Sequence, residues 1–140
     1  MPGLVHLAVR FLHVIGMALL LGGAAVTWDR SRRASDPAEL LDAAGRYEWL
    51  FWTVTGVMVA TGVGNLGVSG VADLSTRWGA VLAVKLLAVL GLLGGSVVRT
   101  LAVEDSTGAG SDAVVLRRSY AATTLYLAGL LALAEVLAHG

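Results

Sequence analysis

The chain has 140 residues, of which 56% are hydrophobic and only 14% are charged, and its acidic and basic residues balance at ten each. No globule of this length has an interior large enough to hide so much apolar sequence, so the composition favours a membrane protein over a soluble domain. The balanced charge gives no indication of a nucleic-acid partner. The absence of cysteine excludes disulfides and thiolate metal sites. Any metal ligands must therefore be histidine, methionine, carboxylate or backbone groups.

Four apolar runs are each long enough to cross a hydrocarbon core, which takes about 20 helical residues. None of the four runs has the broad charged face of an amphipathic surface helix, as expected for segments surrounded by lipid and by one another. The sequence therefore predicts an all-α integral membrane protein, with residues 1–140 forming a single domain that is an antiparallel bundle of four transmembrane helices. The predicted spans are Leu4–Trp28, Tyr47–Val68, Trp78–Leu101 and Val115–Ala138.

Helix-start signals stand between the runs. In "SDPAELL", Asp36 is suited to cap the second helix, Pro37 to its first position and Glu39 to a capping box. We therefore expect the second helix to begin near Pro37 in the aqueous phase and to enter the membrane around Tyr47. The cap candidates for the third and fourth helices are Ser75 or Thr76 and Asp112, respectively.

The arginines predict the orientation of the bundle. The first and third loops hold most of them, whereas the second loop has only Arg77 and the C-terminus has none. Cytoplasmic loops carry an excess of Lys and Arg, so both termini are expected on the outer side of a multi-pass plasma-membrane protein. The arginines assigned to the first loop are Arg30, Arg32, Arg33 and Arg46, and those assigned to the third are Arg99, Arg117 and Arg118.

The first predicted span carries a stripe of polar and ligating residues. His6, Arg10, His13 and Met17 are spaced by four, three and four residues and so share one helix face. Membrane bundles build metal and cofactor sites from stripes of this kind that face the interior. The alternative is that His6 and Arg10 reach the interface while His13 bonds a neighbouring carbonyl group.

Other polar residues fall in the same outer half of the predicted bundle. Lys85 lies within an apolar stretch and is expected to need a partner, for which Glu135 near the end of the fourth span is the natural counter-ion. This pair would either fix the register of the helices or line a path for an ion or a proton. Met58 and His139 lie in this half as well.

Two ligand sets follow, and the residue pattern leaves both open. His13, Met17 and Met58 would form a nitrogen and sulfur site suited to Cu(I), with His6 or His139 above it. Alternatively, a histidine with a second His or Met would hold the iron of haem b, whose propionates Arg10, Lys85 and Tyr126 would meet. No nucleotide-binding loop or nucleophile motif is present, so we assign no catalytic residue, and enzyme activity is expected only with haem.

Three segments carry a family resemblance: "RFLHVIGMALLLGG", "TRWGAVLAVKLLAVLGLL" and "LRRSYAATTLYLAGLLALAEVL". They resemble helices of CopD-type copper resistance membrane proteins, with a lone lysine amid leucines and a last helix that opens on an LRRS-like turn. The resemblance implies that the family histidine corresponds to His13 and the family lysine to Lys85.

The resemblance also implies a function in copper uptake or tolerance, often with a periplasmic copper-binding partner. The related HemJ-like proteins share the four-helix layout and are linked to haem binding and porphyrinogen oxidation. A copper-handling membrane protein is therefore the leading hypothesis, and a b-type haem protein is the alternative. Transport through one four-helix chain would need a homo-oligomer or a partner protein.

Overall fold

The computed structural model describes residues 3–69 and 77–139, apart from the side chains of His6 and of residues 62–69, 77–78 and 136–139. Every regular element in this part of the chain is an α-helix, so the all-α prediction is confirmed. The helices are α1 (Leu4–Arg33), α2 (Pro37–Ser69), α3 (Arg77–Glu104) and α4 (Gly110–His139).

Two of these helices are long and apolar enough to cross a membrane. The qualifying segments of α1 and α3 are Leu7–Arg33 and Gly79–Glu104. Large hydrophobic side chains are exposed on all four helices, and on α3 Leu87 and Val98 are each 68% exposed. An apolar exterior of this extent suits a hydrocarbon environment. That α2 and α4 also cross the membrane, and that both termini lie outside, stay predictions.

The start of α2 follows its sequence signal, whereas the start of α4 does not. The Asp36 carboxylate accepts a hydrogen bond of 2.9 Å from the backbone N–H of Ala38, and Pro37 is the first helical residue, as predicted. The prediction that Asp112 is the cap of α4 is wrong. The helix begins at Gly110, and the Asp112 carboxylate accepts the backbone N–H and hydroxyl of Thr107, at 2.9 and 2.7 Å. The cap candidates Ser75 and Thr76 lie outside the described residues.

The connections at residues 34–36 and 105–109 meet at one end of the bundle, which we call the loop end. Gly108 has a φ of 72°, and a Cβ added there would lie 2.8 Å from the carbonyl oxygen of Pro37. Glycine is required at this position both by the left-handed backbone and by the close approach of the two loops. The opposite end, where α1 begins and α4 finishes, is called the terminal end below.

The apolar core is built by α1, α2 and α4. The described residues of α3 that are fully buried are Gly79, Ser96 and Arg99, whereas its Leu92, Ala102 and Val103 pack against the core half-buried. Its contact with α2 is also much less extensive than that of α1 with α2 or α4. The fully buried side chains that the structure describes in α3, those of Ser96 and Arg99, are therefore polar. The core residues are Leu20, Ala24, Leu40, Ala44, Tyr47, Phe51, Leu116, Tyr120 and Leu127.

Candidate functional site

The predicted ligands of α1 and α2 lie toward the terminal end. His13 is exposed, and Met17, one helical turn further along α1, is half-buried. Met58 of α2 packs on α1 between them, because a Cβ added at Gly16 would lie 2.8 Å from its sulfur. Gly16 follows His13 by three residues and therefore shares its helix face. The structure thus places the Met58 thioether against α1 within one turn of His13 and Met17, and a site shared by the three side chains stays a prediction.

Lys85 approaches this region from α3. Its side chain is exposed, and its ammonium lies close enough to His13 for the two groups to interact electrostatically. The structure therefore places the lysine and the histidine singled out by the sequence in the same part of the bundle. Glu135 is exposed near the end of α4. Its pairing with Lys85 stays a prediction.

The remaining predicted site residues are less closely associated with this region. Arg10 is exposed on α1. The Tyr126 hydroxyl donates a hydrogen bond of 2.7 Å to the carbonyl oxygen of Ala88, which fastens α4 to α3. The side chains of His6 and His139 lie outside the described residues, so their part in the site stays a prediction.

The chemistry of the collected donors is soft. Among the described residues, no group of three or more His, Asp or Glu side chains is arranged to hold a metal ion. One imidazole nitrogen and two thioether sulfurs make a poor site for a hard cation such as Mg²⁺ or Ca²⁺, whereas this combination suits Cu(I). The residue types of His13, Met17 and Met58 are therefore those that Cu(I) favours, and their joint binding of copper stays a prediction.

A second polar site lies deeper, toward the loop end, and its centre is an ion pair between α2 and α3. The Nε of Arg99 donates to Oε1 of Glu48 at 2.7 Å, and its Nη2 donates to Oε2 at 3.1 Å. Both residues are buried, with 3% of Arg99 and 6% of Glu48 exposed. Two parallel N–H···O bonds make this the strongest geometry available to such a pair.

Hydroxyl groups from α3 and α4 satisfy the rest of this ion pair. Tyr120 and Thr100 donate to the Glu48 carboxylate at 2.9 and 2.6 Å. The remaining guanidinium nitrogen of Arg99 donates to the hydroxyls of Thr123 at 2.8 Å and Ser96 at 3.3 Å. Such saturation is what a buried ion pair needs in order to hold its geometry without water.

Aromatic rings complete the enclosure of Arg99. The guanidinium carbon lies 4.7 Å from the ring centre of Phe51, 5.2 Å from that of Tyr47 and 5.6 Å from that of Tyr120, all within cation–π range. Tyr47 in turn donates a hydrogen bond of 3.0 Å to the carbonyl oxygen of Leu20, so α1 also contributes to this packing. The resulting cluster joins all four helices and carries no net charge.

The sequence interpretation missed this cluster and misplaced one of its members. Arg99 was assigned to the third loop, but it lies within α3 and is buried. The sequence interpretation gave Glu48 no role. The positions of the two residues in the sequence could have revealed the pair. Glu48 falls one residue inside the predicted span Tyr47–Val68, and Arg99 falls inside Trp78–Leu101. An acid and a base at the same end of two adjacent antiparallel spans are expected to pair.

The two sites are chemically different. The Glu48–Arg99 cluster has its donors and acceptors satisfied by one another, so it is suited to hold helices together. The His13 region has soft donors that are not enclosed. Gly23, which contacts Tyr47, follows His13 by ten residues, which corresponds to about 15 Å along α1. Ligand binding at the terminal end therefore need not disturb the cluster.

Comparison with known proteins identifies one family. The model of CopD, described as copper resistance protein D, matches residues 41–137, which is more than half of the chain. The matched range includes Lys85, Met58 and both members of the buried ion pair, whereas His13 and Met17 precede it. No curated protein and no solved structure matches the chain.

Proposed function

Because the chain belongs to the copper resistance protein D family, we propose that it binds and handles Cu⁺ in the membrane through His13, Met17 and Met58. The observation that carries this proposal is the packing of the Met58 sulfur against Gly16, on the α1 face shared by His13 and Met17. Soft thioether and imidazole donors favour monovalent copper over the hard cations that are abundant in cells. His6 and His139 are further candidate ligands near the same end.

The positive charge of Lys85 opposes a cation bound beside His13. We propose that Glu135 compensates this charge, either by pairing with Lys85 or by contributing its carboxylate to the same region. A net neutral Lys85–Glu135 pair would leave the donors able to accept Cu⁺, while a lone ammonium would weaken binding at low dielectric. The polar pair would then tune the affinity of the site without acting as a ligand.

The proposed setting is a bundle of four membrane spans with both termini, and hence the copper site, on the outer side of the plasma membrane. The distribution of arginines supports this orientation. Toward the loop end, Leu20, Phe51 and Tyr120 are at most 2% exposed and fill the interior. This packing supports a role in which one chain accepts copper at its outer end and passes it on through a homo-oligomer or to an extracellular copper-binding partner.

Haem is the less supported of the two ligands. The family match is to copper resistance proteins, and none of the comparisons supports haem binding. The same purified protein can still distinguish the two, because bound haem gives a Soret band with stoichiometric iron. That result would replace copper by haem as the ligand.

Titration of the detergent-purified protein with Cu⁺, in competition with a colorimetric Cu⁺ chelator, tests the proposal. The wild type is expected to bind one copper ion per chain. His13→Ala and the double variant Met17→Leu/Met58→Leu are expected to lose binding, since both remove donors while leucine preserves volume. Val14→Ala is the matched control, because Val14 neighbours His13 and is 62% exposed. Undiminished binding by His13→Ala would overturn the proposed site.

A further inference from the structure

A groove between α1 and α2 near the loop end lies apart from the His13 region and borders the Glu48–Arg99 cluster at Tyr47, which lines both. Its volume is about 190 Å³, and its apolar lining includes Val26 and Leu50. Gly23 contributes the close approach of the helices, since a Cβ added there would lie 3.1 Å from a methyl carbon of Leu50. The groove therefore offers an apolar surface between two helices that are otherwise in close contact.

Two arginines, one from each helix, also line this groove. Arg30 belongs to the end of α1 and is exposed, and Arg46 belongs to α2. The side chain of Arg46 is 76% exposed and pairs with Asp42 one turn earlier. The groove thus joins an apolar surface to two guanidinium groups, which is the combination that a lipid phosphate with its attached acyl chain requires.

The expected depth of the groove in the membrane also suits a phospholipid. Trp49, which immediately precedes Leu50, is 72% exposed. Trp28, between Val26 and Arg30, is partly buried against the core. Tryptophan collects at the depth of lipid headgroups. The two arginines are therefore expected at the depth of the phosphates and the apolar lining at the depth of the upper acyl chains.

From these observations we infer that the α1–α2 groove binds one anionic phospholipid. Its phosphate lies between Arg30 and Arg46, and an acyl chain lies along Val26 and Leu50. This inference rests on the embedding of α1 and α2 in a membrane and is independent of copper. Arginine binds phosphate oxygens through paired N–H donors, and two arginines repel the choline cation of a zwitterionic lipid, so an anionic lipid is preferred.

Tryptophan quenching by brominated lipids tests the inference. The full-length protein is reconstituted in phosphatidylcholine vesicles, and brominated phosphatidylglycerol or brominated phosphatidylcholine is titrated in. The wild type is expected to bind the anionic lipid more tightly, and Arg30→Gln/Arg46→Gln is expected to lose this preference, by about fivefold for each arginine. Val26→Phe, which adds no tryptophan to the fluorescence signal, should reduce binding of both lipids to the groove without changing the charge.

The matched control is Arg32→Gln/Arg33→Gln. It also removes two positive charges near the loop end, but from residues of α1 that do not line the groove. It is expected to retain the preference for the anionic lipid. Equal losses in the two double variants would show a general surface charge effect and overturn the inference, as would a wild type with no preference. Since all four arginines are exposed, the variants are expected to fold, which circular dichroism checks. Copper binding should remain in every variant.

Discussion

Two cations of α3, Lys85 toward the terminal end and Arg99 toward the loop end, have opposite environments. Arg99 is 3% exposed and donates hydrogen bonds to Glu48, Thr123 and Ser96. Lys85, fourteen residues earlier, is exposed and lies near His13. A buried charge persists only where its partners are provided by the fold, whereas an exposed one remains available for other interactions. The contrast separates a residue that holds the structure from one that can influence a ligand.

The largest expected effect comes from removing one charge of the buried pair. Arg99→Met leaves the Glu48 carboxylate buried without its partner, and the free energy of unfolding should fall by about 3–5 kcal/mol. Lys85→Met, the same substitution in the same helix, should change it by less than about 1 kcal/mol because Lys85 is exposed. Unfolding by sodium dodecyl sulfate in mixed micelles, followed by circular dichroism, measures both.

The double variant Glu48→Leu/Arg99→Met sharpens this comparison. Removing both charges replaces the ion pair by apolar groups, so the double variant should be more stable than Arg99→Met alone. If the two single variants at Arg99 and Lys85 lost equal stability, the proposed division between the two ends of α3 would be contradicted.

A smaller loss of stability is expected when either Tyr120 or Tyr126 of α4 loses the hydrogen bond that its hydroxyl donates. Tyr120→Phe removes a bond to the buried Glu48 carboxylate and should cost about 1.5–3 kcal/mol. Tyr126→Phe removes a bond to the neutral Ala88 carbonyl from an exposed residue and should cost about 0.5–1.5 kcal/mol. The same unfolding assay compares them. A greater loss at Tyr126 would count against the cluster as the main polar contact between helices.

The smallest effect concerns the loop end at low pH. Hydrogen bonds from the backbone and side chain of Thr107 hold the pKa of Asp112 below its usual value. A lowered folded-state pKa means that the stabilisation is present at neutral pH and is lost as the pH falls through that pKa. Asp112→Asn should therefore lower the Tm at pH 7 and have less effect below about pH 3. Asp105→Asn, in the same loop, is the control, and parallel Tm profiles for wild type and Asp112→Asn would contradict the assignment.

Local features of the fold were predictable, and those that depend on tertiary contacts were not. The start of α2 at Pro37 follows from the Asp36 side chain and the proline ring, which act within one helical turn. The role of Asp112 was misjudged because its partner, Thr107, lies in a loop whose path is set by the approach of Gly108 to Pro37. A cap residue and a loop-closing residue have the same side-chain chemistry, so sequence alone does not separate them.

The same division between local and tertiary features holds for the candidate site. The spacing of His13 and Met17 on one helix face follows from helix geometry, whereas a site that they share with Met58 and Lys85 stays a prediction. The Glu48–Arg99 pair required two observations to be combined, namely that α2 and α3 lie side by side and that Arg99 belongs to a helix interior. The prediction of orientation from arginines treats each of them as a loop residue. It therefore misassigned Arg99, whose partner Glu48 is 51 positions away in the sequence.

The polar attachment of α3 has a consequence for the biogenesis of the protein. If α2 and α3 both cross the membrane, each carries one member of the Glu48–Arg99 pair, and a lone charged residue in the hydrocarbon costs several kcal/mol. Entry of the two helices together, with the pair already formed, avoids this cost. The translocation machinery would then receive α2 and α3 as one hairpin, and a chain interrupted between them would expose an unmatched acid to the quality control of the cell.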